Sequence, residues 1–441
     1  MKKIPFGILG GGFAGLMAGR ELNSRNQEFL ILEREDTVGG LARTTNFSGL
    51  KAEFGPHALY SKDERVMEFF KSLPIAYYTY NRKVRICHRG SDKKIYELNY
   101  PFENGLGNLP PEERADCLLG YIECYSRKRH KFNNLKDWIN QGLGYGIAKY
   151  FMIPYNKKIW NAPLDKISLD LIKQKIDPAS IKELVKACVG LPTIGRIYQS
   201  IFLYPKKGTG EISKAISESF KQSIICNSKI KKISISKKGI LIKTEKDKYL
   251  FEKVISTIPL PEMINKQNLK SLKPFADKFV SNKTYFVAVR LKENRQLQRF
   301  HDCHWVFFAG SEIFYRMNVM QAYSPEVTPG IVAEITAKGK IKQMSIKRIE
   351  EEVIQGLLND QIIKSEDDIE SVSTKLVPFT YPIPTMGIDH IKVKVQRVLE
   401  PYHFYLLGRN GNWDYINMDQ IVIRCWKLFE KLDAKYFKNS M

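Results

Sequence analysis

The chain has 441 residues, 43% hydrophobic and 27% charged, which is the composition of a globular protein with on the order of two or three domains. No apolar run reaches about 18 residues, so we expect no membrane span. The seven scattered cysteines lack a C-x-x-C pair and indicate reduced thiols in a cytoplasmic protein, without a disulfide frame or a metal site. The net charge of +23 is spread along the chain without a basic module interleaved with aromatic residues, so we expect no nucleic-acid partner.

The N-terminal segment contains an apolar strand, a glycine-rich turn and a helix, in the order typical of dinucleotide binding. Gly10 is expected to allow a tight turn, Gly12 a close approach to a pyrophosphate, and Gly15 packing of the helix on the strand. The helix is predicted to begin near Phe13. Glu33 ends the next apolar strand, 18 residues after Gly15, where an acid would accept hydrogen bonds from an adenosine ribose.

A second glycine pair distinguishes between the two common dinucleotides. Gly39 and Gly40 are followed by Arg43, directly after the ribose acid. A Gly-Gly-x-x-Arg segment in this position resembles the flavoprotein version of the fold, in which these residues line the FAD pyrophosphate. The resemblance favours FAD over NAD as the bound cofactor.

The remaining elements alternate between helical and strand-rich regions. A mainly helical region is predicted from about residue 108 to 200. The later part of the chain is predicted to contain a hairpin, further strands and a closing helix, at residues 230–244, 254–259, 284–291, 305–308, 331–336, 402–409 and 418–431.

The pattern therefore predicts an α/β fold with a doubly wound, Rossmann-like FAD-binding domain that is discontinuous in sequence. We assign residues 1–90, 203–270 and 376–441 to this FAD-binding domain. Residues 91–202 are predicted to form an inserted helical domain, and residues 271–375 an antiparallel-sheet substrate domain.

Five later segments, in their order and spacing, resemble the UDP-galactopyranose mutase family, and its eukaryotic-type branch more than the bacterial one. This family lies within the FAD-dependent amine oxidase and protoporphyrinogen oxidase-like superfamily. The resemblance extends from the N-terminus to about residue 430. The five segments are Asn99–Glu103, Pro154–Trp160, Leu203–Gly210, Phe314–Pro325 and Gly408–Tyr415.

The resemblance implies a flavin-dependent mutase, an isomerase that interconverts the pyranose and furanose forms of a nucleotide-sugar, most simply UDP-galactose, for cell-surface glycan biosynthesis. In that family N5 of reduced FAD attacks the anomeric carbon and displaces UDP. NADPH or NADH would supply the reducing equivalents, with no net electron flow in a turnover. The alternative is an FAD-dependent oxidoreductase of the amine oxidase or protoporphyrinogen oxidase type. A flavin-binding protein without activity is a third hypothesis, and the oligomeric state stays open.

Three residues match catalytic positions of the family. Arg316 and Arg409 correspond to the pair that binds the diphosphate, since a guanidinium can hold phosphate oxygens in bidentate fashion. The alternative for each arginine is an ordinary structural ion pair. His57 matches the histidine of a loop beside the flavin, where it would orient a hydrogen bond without acting as a base.

Further matches concern the nucleotide, the sugar and the flavin. Gly408 and the N-terminus of the last helix, with Met418 and Asp419, are expected to face the flavin. Lys175 and Phe307 depart from the family pattern and leave the nucleobase and the sugar in doubt. The expected substrate-binding residues are Tyr100, Asn156, Trp160, Lys175, Phe307, Tyr323, Tyr381 and Tyr415. For the aromatic residues the alternative is plain core packing, and Asn156 and Trp160 are spaced to share a helix face.

Overall fold

The computed structural model describes residues 2–127, 131–169, 180–191, 193, 200–324 and 329–437, and two large β-sheets dominate this part of the chain. The strands of the described residues, numbered in chain order, are β1 (Lys3–Leu9), β2 (Phe29–Leu32), β3 (Thr45–Phe47), β4 (Leu50–Ala52), β5 (Tyr77–Asn81), β6 (Val84–Arg89), β7 (Ile95–Asn99), β8 (Ile201–Pro205), β9 (Ile224–Ile225), β10 (Ile230–Ser236), β11 (Gly239–Thr244), β12 (Lys248–Ser256), β13 (Thr284–Leu291), β14 (Trp305–Phe308), β15 (Arg316–Val319), β16 (Gly330–Thr336), β17 (Ile369–Val377) and β18 (Phe404–Leu406).

Helices cover both sheets and connect them. The α-helices of the described residues are α1 (Phe13–Ser24), α2 (Glu64–Ser72), α3 (Pro111–Ser126), α4 (Leu135–Gly142), α5 (Gly144–Ile147), α6 (Ile153–Ile159), α7 (Ile181–Cys188), α8 (Gly210–Ser217), α9 (Leu260–Lys266), α10 (Ile346–Asn359), α11 (Ile388–Leu399), α12 (Gly408–Gly411) and α13 (Met418–Leu432). Within the described ranges, no helix combines the length and the apolar character that crossing a membrane requires.

The first sheet has the strand order β10-β11-β12-β1-β2-β9, and β18 pairs with β12 beside this path. Strand β1 is parallel to β2 on one side and to β12 on the other. The carboxyl end of β1 is therefore a point at which the chain turns to opposite sides of the sheet, and ligands of doubly wound folds bind at such points. This arrangement confirms the predicted α/β fold with its discontinuous Rossmann-like domain.

The glycine turn after β1 has the predicted geometry. Gly10 has a φ of 98°, a conformation that favours glycine, and α1 begins at Phe13. A Cβ atom on Gly15 would collide with the carbonyl oxygen of Gly10, so α1 approaches the turn as closely as a glycine allows. Buried Leu16 and Met17 on α1 pack in the apolar layer beneath the sheet.

The second sheet has the order β17-β13-β16-β15-β14-β6-β7 and is antiparallel, except that β14 and β6 run parallel. Strands β6 and β7 form a hairpin, so the predicted boundary at residue 90 falls between two strands of this sheet. The hairpin has an ordinary alternating pattern, and nothing in that pattern identifies the sheet it joins. Helices α3 to α7 occupy the predicted helical region, and α4 packs Trp138 and Ile139 in one core with Ile86 of β6.

We expect the contact between Gly15 and the turn to be needed for folding and for cofactor binding. Gly15→Ala places a methyl group against the backbone of Gly10 and should lower the free energy of unfolding by about 1–3 kcal/mol, as other overpacked sites do. Urea unfolding and the flavin absorbance of the purified protein measure both effects.

Gly19→Ala is the matched control, because it lies in the same helix and gains the same helix propensity of about 1 kcal/mol. The atoms nearest to its Cβ would be side-chain atoms of Ile31 and Phe220, at 3.0 Å, which can move. Equal losses of stability in the two variants would contradict the importance of the Gly15 contact.

Candidate functional site

A cavity of about 830 Å³ begins at the carboxyl end of β1 and extends between the two sheets. Its volume is within the range of cofactor and ligand sites in proteins. The structure brings most of the predicted site residues to its wall, namely Gly10, Gly12, Glu33, Gly39, Gly40, Arg43, His57, Tyr100, Phe307, Arg316, Tyr381, Gly408, Arg409, Tyr415, Met418 and Asp419.

One end of the cavity has the features of a dinucleotide site. Glu33 is 7% exposed, and its carboxylate accepts the N–H of Gly11 at 2.6 Å and the N–H of Glu35 at 2.9 Å. Each carboxylate oxygen retains acceptor capacity for a ribose hydroxyl. Gly39 donates its N–H to the carbonyl of Gly11 at 2.8 Å, which brings the second glycine pair against the first turn.

Two helix N-termini face this cavity. Gly12 and Phe13 line it at the start of α1, and Met418 and Asp419 line it at the start of α13. A helix N-terminus offers N–H groups and a partial positive charge to an anion. Together with Arg43 these elements fit a cofactor that carries a pyrophosphate at one point and an electron-rich ring at another, as FAD does.

Arg316 lies on β15 directly opposite Glu334 on β16. Its Nε donates to Glu334 Oε1 at 2.8 Å, and its Nη2 donates to Glu334 Oε2 at 2.7 Å and to the hydroxyl of Tyr381 at 2.6 Å. Burial opposes the charge of Arg316, but Glu334 raises the guanidinium pKa well above its usual value. Arg316 therefore both makes a structural ion pair and lines the cavity as a permanent cation.

Arg409 reaches the same place from α12. Its Nε donates to the carbonyl of Ile416 at 2.7 Å, which fixes the direction of the side chain. The guanidinium carbon lies 5.5 Å from the ring centre of Tyr381 and 5.7 Å from that of Tyr415. Tyr381 thus contacts Arg409 through its ring and Arg316 through its hydroxyl, so the two predicted arginines meet at one tyrosine.

His57 is held as a neutral side chain beside these arginines. Its Nδ1 donates to the carbonyl of Gly55 at 2.9 Å, which leaves Nε2 as the acceptor of the neutral ring. Burial lowers the pKa of His57 to about 4, with further lowering by Arg409 and Arg316. A Cβ on Gly55 would lie 3.3 Å from Arg316 Nη2, so the histidine loop packs on the arginine itself.

The far end of the cavity is aromatic. The rings of Tyr100 and Phe307 are 4.9 Å apart, and Tyr155 meets Phe307 at 5.3 Å with an interplanar angle of 73°. Arg82 stands 5.8 Å from the ring centre of Tyr100. Tyr155 and Arg82 also line the cavity but were not among the predicted site residues. Tyr155 could have been found, since it lies inside the Pro154–Trp160 segment.

Three predicted substrate-binding residues lie behind the wall. Trp160 directly follows the last residue of α6 and has an extended backbone, so Trp160 and Asn156 do not share a helix face, although Trp160 Nε1 donates to Asn156 Oδ1 at 2.9 Å. Trp160 also packs on Tyr415. Tyr323 is 2% exposed and packs on Tyr204 at 5.0 Å. Gly15 likewise lies behind the wall, in the contact of α1 with the turn. Lys175 lies outside the described residues.

Sequence reasoning also missed Glu53, a buried acid that joins two loops of the cofactor region. Its carboxyl group accepts the Tyr204 hydroxyl at 2.8 Å, the Thr209 N–H at 3.1 Å and the Thr44 hydroxyl at 3.1 Å. Burial raises the pKa of Glu53 despite these hydrogen bonds. No sequence pattern marks this acid, because Tyr204 and Thr209 lie 151 and 156 residues away along the chain.

The surroundings of His57 predict a measurable titration. In the wild-type protein its ¹³C-detected NMR titration should give a pKa of about 4. Arg409→Ala should raise this pKa toward the ordinary value near 6.5 without reaching it, because burial is the largest cause of the shift.

His304 is the internal control in the same spectra. Burial lowers its pKa to about 4 as well, but neither Arg409 nor Arg316 contributes to that shift. Its titration should stay unchanged in Arg409→Ala. A wild-type His57 that titrates near 6.5 would contradict the described geometry.

Comparisons with known proteins agree with this architecture. Residues 8–73 match the family model for the NAD(P)-binding Rossmann-like domain. Over 68 residues the chain is 35% identical to a protein of Mycobacterium tuberculosis named "Putative flavin-containing monoamine oxidase AofH". This match covers 15% of the chain and 15% of that relative, so it says nothing of the rest of either protein.

Solved structures are similar over nearly the whole chain. A crystal structure of reduced UDP-galactopyranose mutase has a TM-score of 0.89 and 24% identity, covering 99% of this chain and 95% of the other. Putrescine oxidase bound to putrescine has a TM-score of 0.69 and 13% identity, covering 97% of this chain and 99% of the other. The chain therefore has the fold of UDP-galactopyranose mutase, which putrescine oxidase shares at lower similarity.

Proposed function

We propose that the chain is a flavin-dependent mutase that interconverts the pyranose and furanose forms of a nucleotide-sugar, most simply UDP-galactose. The observation that carries this proposal is the meeting of Arg316 and Arg409 at Tyr381. Two guanidinium groups in one half-enclosed cavity suit a diphosphate, which has oxygens for both. The similarity in fold to UDP-galactopyranose mutase supports the same function.

We propose FAD as the cofactor, with its ribose at Glu33 and its pyrophosphate at the start of α1, near Gly39, Gly40 and Arg43. The flavin would extend toward the start of α13 and the His57 loop. Once reduced by NADPH or NADH, it would supply the nucleophile that displaces UDP from the anomeric carbon.

The two arginines have different electrostatic roles in this proposal. Glu334 neutralises much of the charge of Arg316 and fixes the direction of its guanidinium. Arg409 is bound through a backbone carbonyl and two aromatic faces, so it keeps its full charge for the diphosphate. Arg409 would hold the leaving UDP, and Arg316 would orient it.

The remaining residues would position the two ends of the substrate. Tyr100, Tyr155 and Phe307 contact one another and form an aromatic surface against which a nucleobase would stack. His57, neutral above a pH of about 4, would act as a hydrogen-bond acceptor through Nε2 beside the flavin and the sugar. Asn156, Trp160 and Tyr323 would act through the residues they pack against rather than by contact.

An FAD-dependent oxidoreductase is the second candidate, favoured by the shared fold with putrescine oxidase and by the aromatic cavity end with Trp305. A cationic amine would be repelled by the charge of Arg409 beside its reacting carbon, because of the two arginines only Arg316 is paired with a carboxylate of the described residues, that of Glu334. The arginine pair therefore favours the mutase.

Anaerobic incubation of the dithionite-reduced protein with UDP-galactofuranose tests the proposal directly. We expect the reduced protein, and not the oxidised protein, to convert UDP-galactofuranose to UDP-galactopyranose. Chromatography of the two sugar nucleotides measures this conversion. Flavin reduction in proportion to added amine or porphyrinogen, with no conversion of the sugar ring, would instead establish the oxidoreductase.

Arg409→Ala should weaken UDP binding by about 2–5 kcal/mol, measured by calorimetry, and leave the flavin bound. Arg299→Ala is its control, because Arg299 pairs with Glu97 at the edge of the second sheet, away from the residues that line the cavity. Normal UDP binding by Arg409→Ala would exclude the proposed diphosphate site.

A further inference from the structure

Helix α6, which carries Tyr155 and Asn156, ends at a set of hydrogen bonds from the second sheet. The carbonyl of Ile159 accepts Asn282 Nδ2 at 2.7 Å and the hydroxyl of Thr336 at 2.8 Å. Asn282 Oδ1 in turn accepts the N–H of Asn161 at 3.0 Å. The side-chain amide of Asn282 therefore makes hydrogen bonds to the backbone of the residues immediately before and after Trp160.

The backbone of the same residue holds a second wall of the cavity. Asn282 donates its N–H to the carbonyl of Tyr381 at 2.9 Å, and its own carbonyl accepts the N–H of Thr380 at 3.1 Å. Asn282 has no exposed surface. One buried residue therefore joins the end of α6 to the segment that carries Tyr381.

Both walls meet at Tyr415. Its ring centre lies 5.7 Å from that of Trp160 and 5.5 Å from that of Tyr381. Arg409 stacks on Tyr381 and Tyr415. The distance between Trp160 and Tyr381 therefore limits the position of the Tyr415 ring, which lies between them. The Tyr415 ring in turn positions the guanidinium of Arg409, which packs on it.

We propose that Asn282 is a positioning residue for nucleotide binding, which fixes the Trp160 and Tyr381 walls around Tyr415 and so places Arg409. This inference rests on the proposed function, since it assigns the placed guanidinium to a UDP diphosphate. Asn282 acts on backbone atoms alone at its α6 end, so its effect does not depend on the identity of the side chains at 159 and 161. Replacing it removes the acceptor of the half-buried Asn161 N–H and one of the two side-chain donors to the Ile159 carbonyl, which frees the end of α6 to shift.

The test compares Asn282→Ala with Asn268→Ala in the FAD-loaded protein. The side-chain amide of Asn268 also makes two hydrogen bonds to the backbone: it accepts the N–H of Ile235 on β10 at 2.7 Å and donates to the carbonyl of Ile235 at 3.2 Å. It does not line the cavity. UDP affinity is measured by calorimetry, and the five tryptophans are observed by ¹⁹F NMR after 5-fluorotryptophan incorporation, with Trp160 assigned from Trp160→Phe.

Asn282→Ala should weaken UDP binding about tenfold, the effect of one or two lost hydrogen bonds. It should also move the Trp160 resonance in the absence of UDP. Thr336→Val removes the second donor to Ile159 without changing the side-chain shape, and it should shift the same resonance by less because Asn282 remains. Asn268→Ala should change neither quantity.

The two proposals fail in different ways. If the wild-type protein binds no UDP, the proposed function is refuted. The Trp160 resonance of Asn282→Ala would still show whether Asn282 fixes the position of Trp160. The positioning role would be refuted if the Trp160 resonance of Asn282→Ala had the same chemical shift as in the wild-type protein. It would also be refuted if the wild-type protein bound UDP and Asn282→Ala bound it with the same affinity.

Discussion

The buried ion pair between Arg316 and Glu334 is the interaction on which the rest of the site depends. Glu334 has no exposed surface and receives donors from Tyr315 at 2.8 Å, Asn318 at 2.7 Å and two nitrogens of Arg316. Removing one partner of such a pair typically costs about 3–5 kcal/mol, because the other charge is left buried and unpaired. A guanidinium held this firmly gives Tyr381 a fixed hydrogen-bond donor in the cavity wall.

From that pair, which lies in the second sheet, the site extends to the glycine-rich region next to the first sheet. Tyr381 connects Arg316 to Arg409, and Arg409 belongs to the segment that precedes α13 of the cofactor region. The Gly55 and His57 loop packs against Arg316 from the other side. The side chains that we propose to bind a diphosphate are therefore in contact with the loop and the helix that we propose to face a flavin. This contact between the two regions supports a reaction in which the cofactor acts on a carbon next to a phosphate.

The sequence allowed the cofactor region to be predicted well, because its signals are local. The Gly10–Gly15 turn, the acid at Glu33 and the contact between Asn156 and Trp160 all depend on neighbours that are near in the sequence. Arg316 and Arg409 were predicted from family resemblance, and the structure brings them together.

The remaining features depend on contacts between distant residues. Glu334 faces Arg316 through strand register, Glu53 meets Tyr204 across 151 residues, and β6 and β7 join a sheet built mainly from residues beyond 280. Single-sequence patterns carry no information on such pairings. Asn282 is a further case, since an asparagine ahead of a strand has many structural roles and only its partners at 159, 161 and 381 reveal this one.

A crystal structure of the reduced, FAD-bound protein with UDP tests the central claim most directly. We predict that oxygens of one diphosphate lie about 2.7–2.9 Å from guanidinium nitrogens of both Arg316 and Arg409, with the uracil packed against the aromatic surface of Tyr100, Tyr155 and Phe307. A diphosphate bound elsewhere, or held by neither arginine, would contradict the claim that this cavity is built for a nucleotide-sugar beside a flavin.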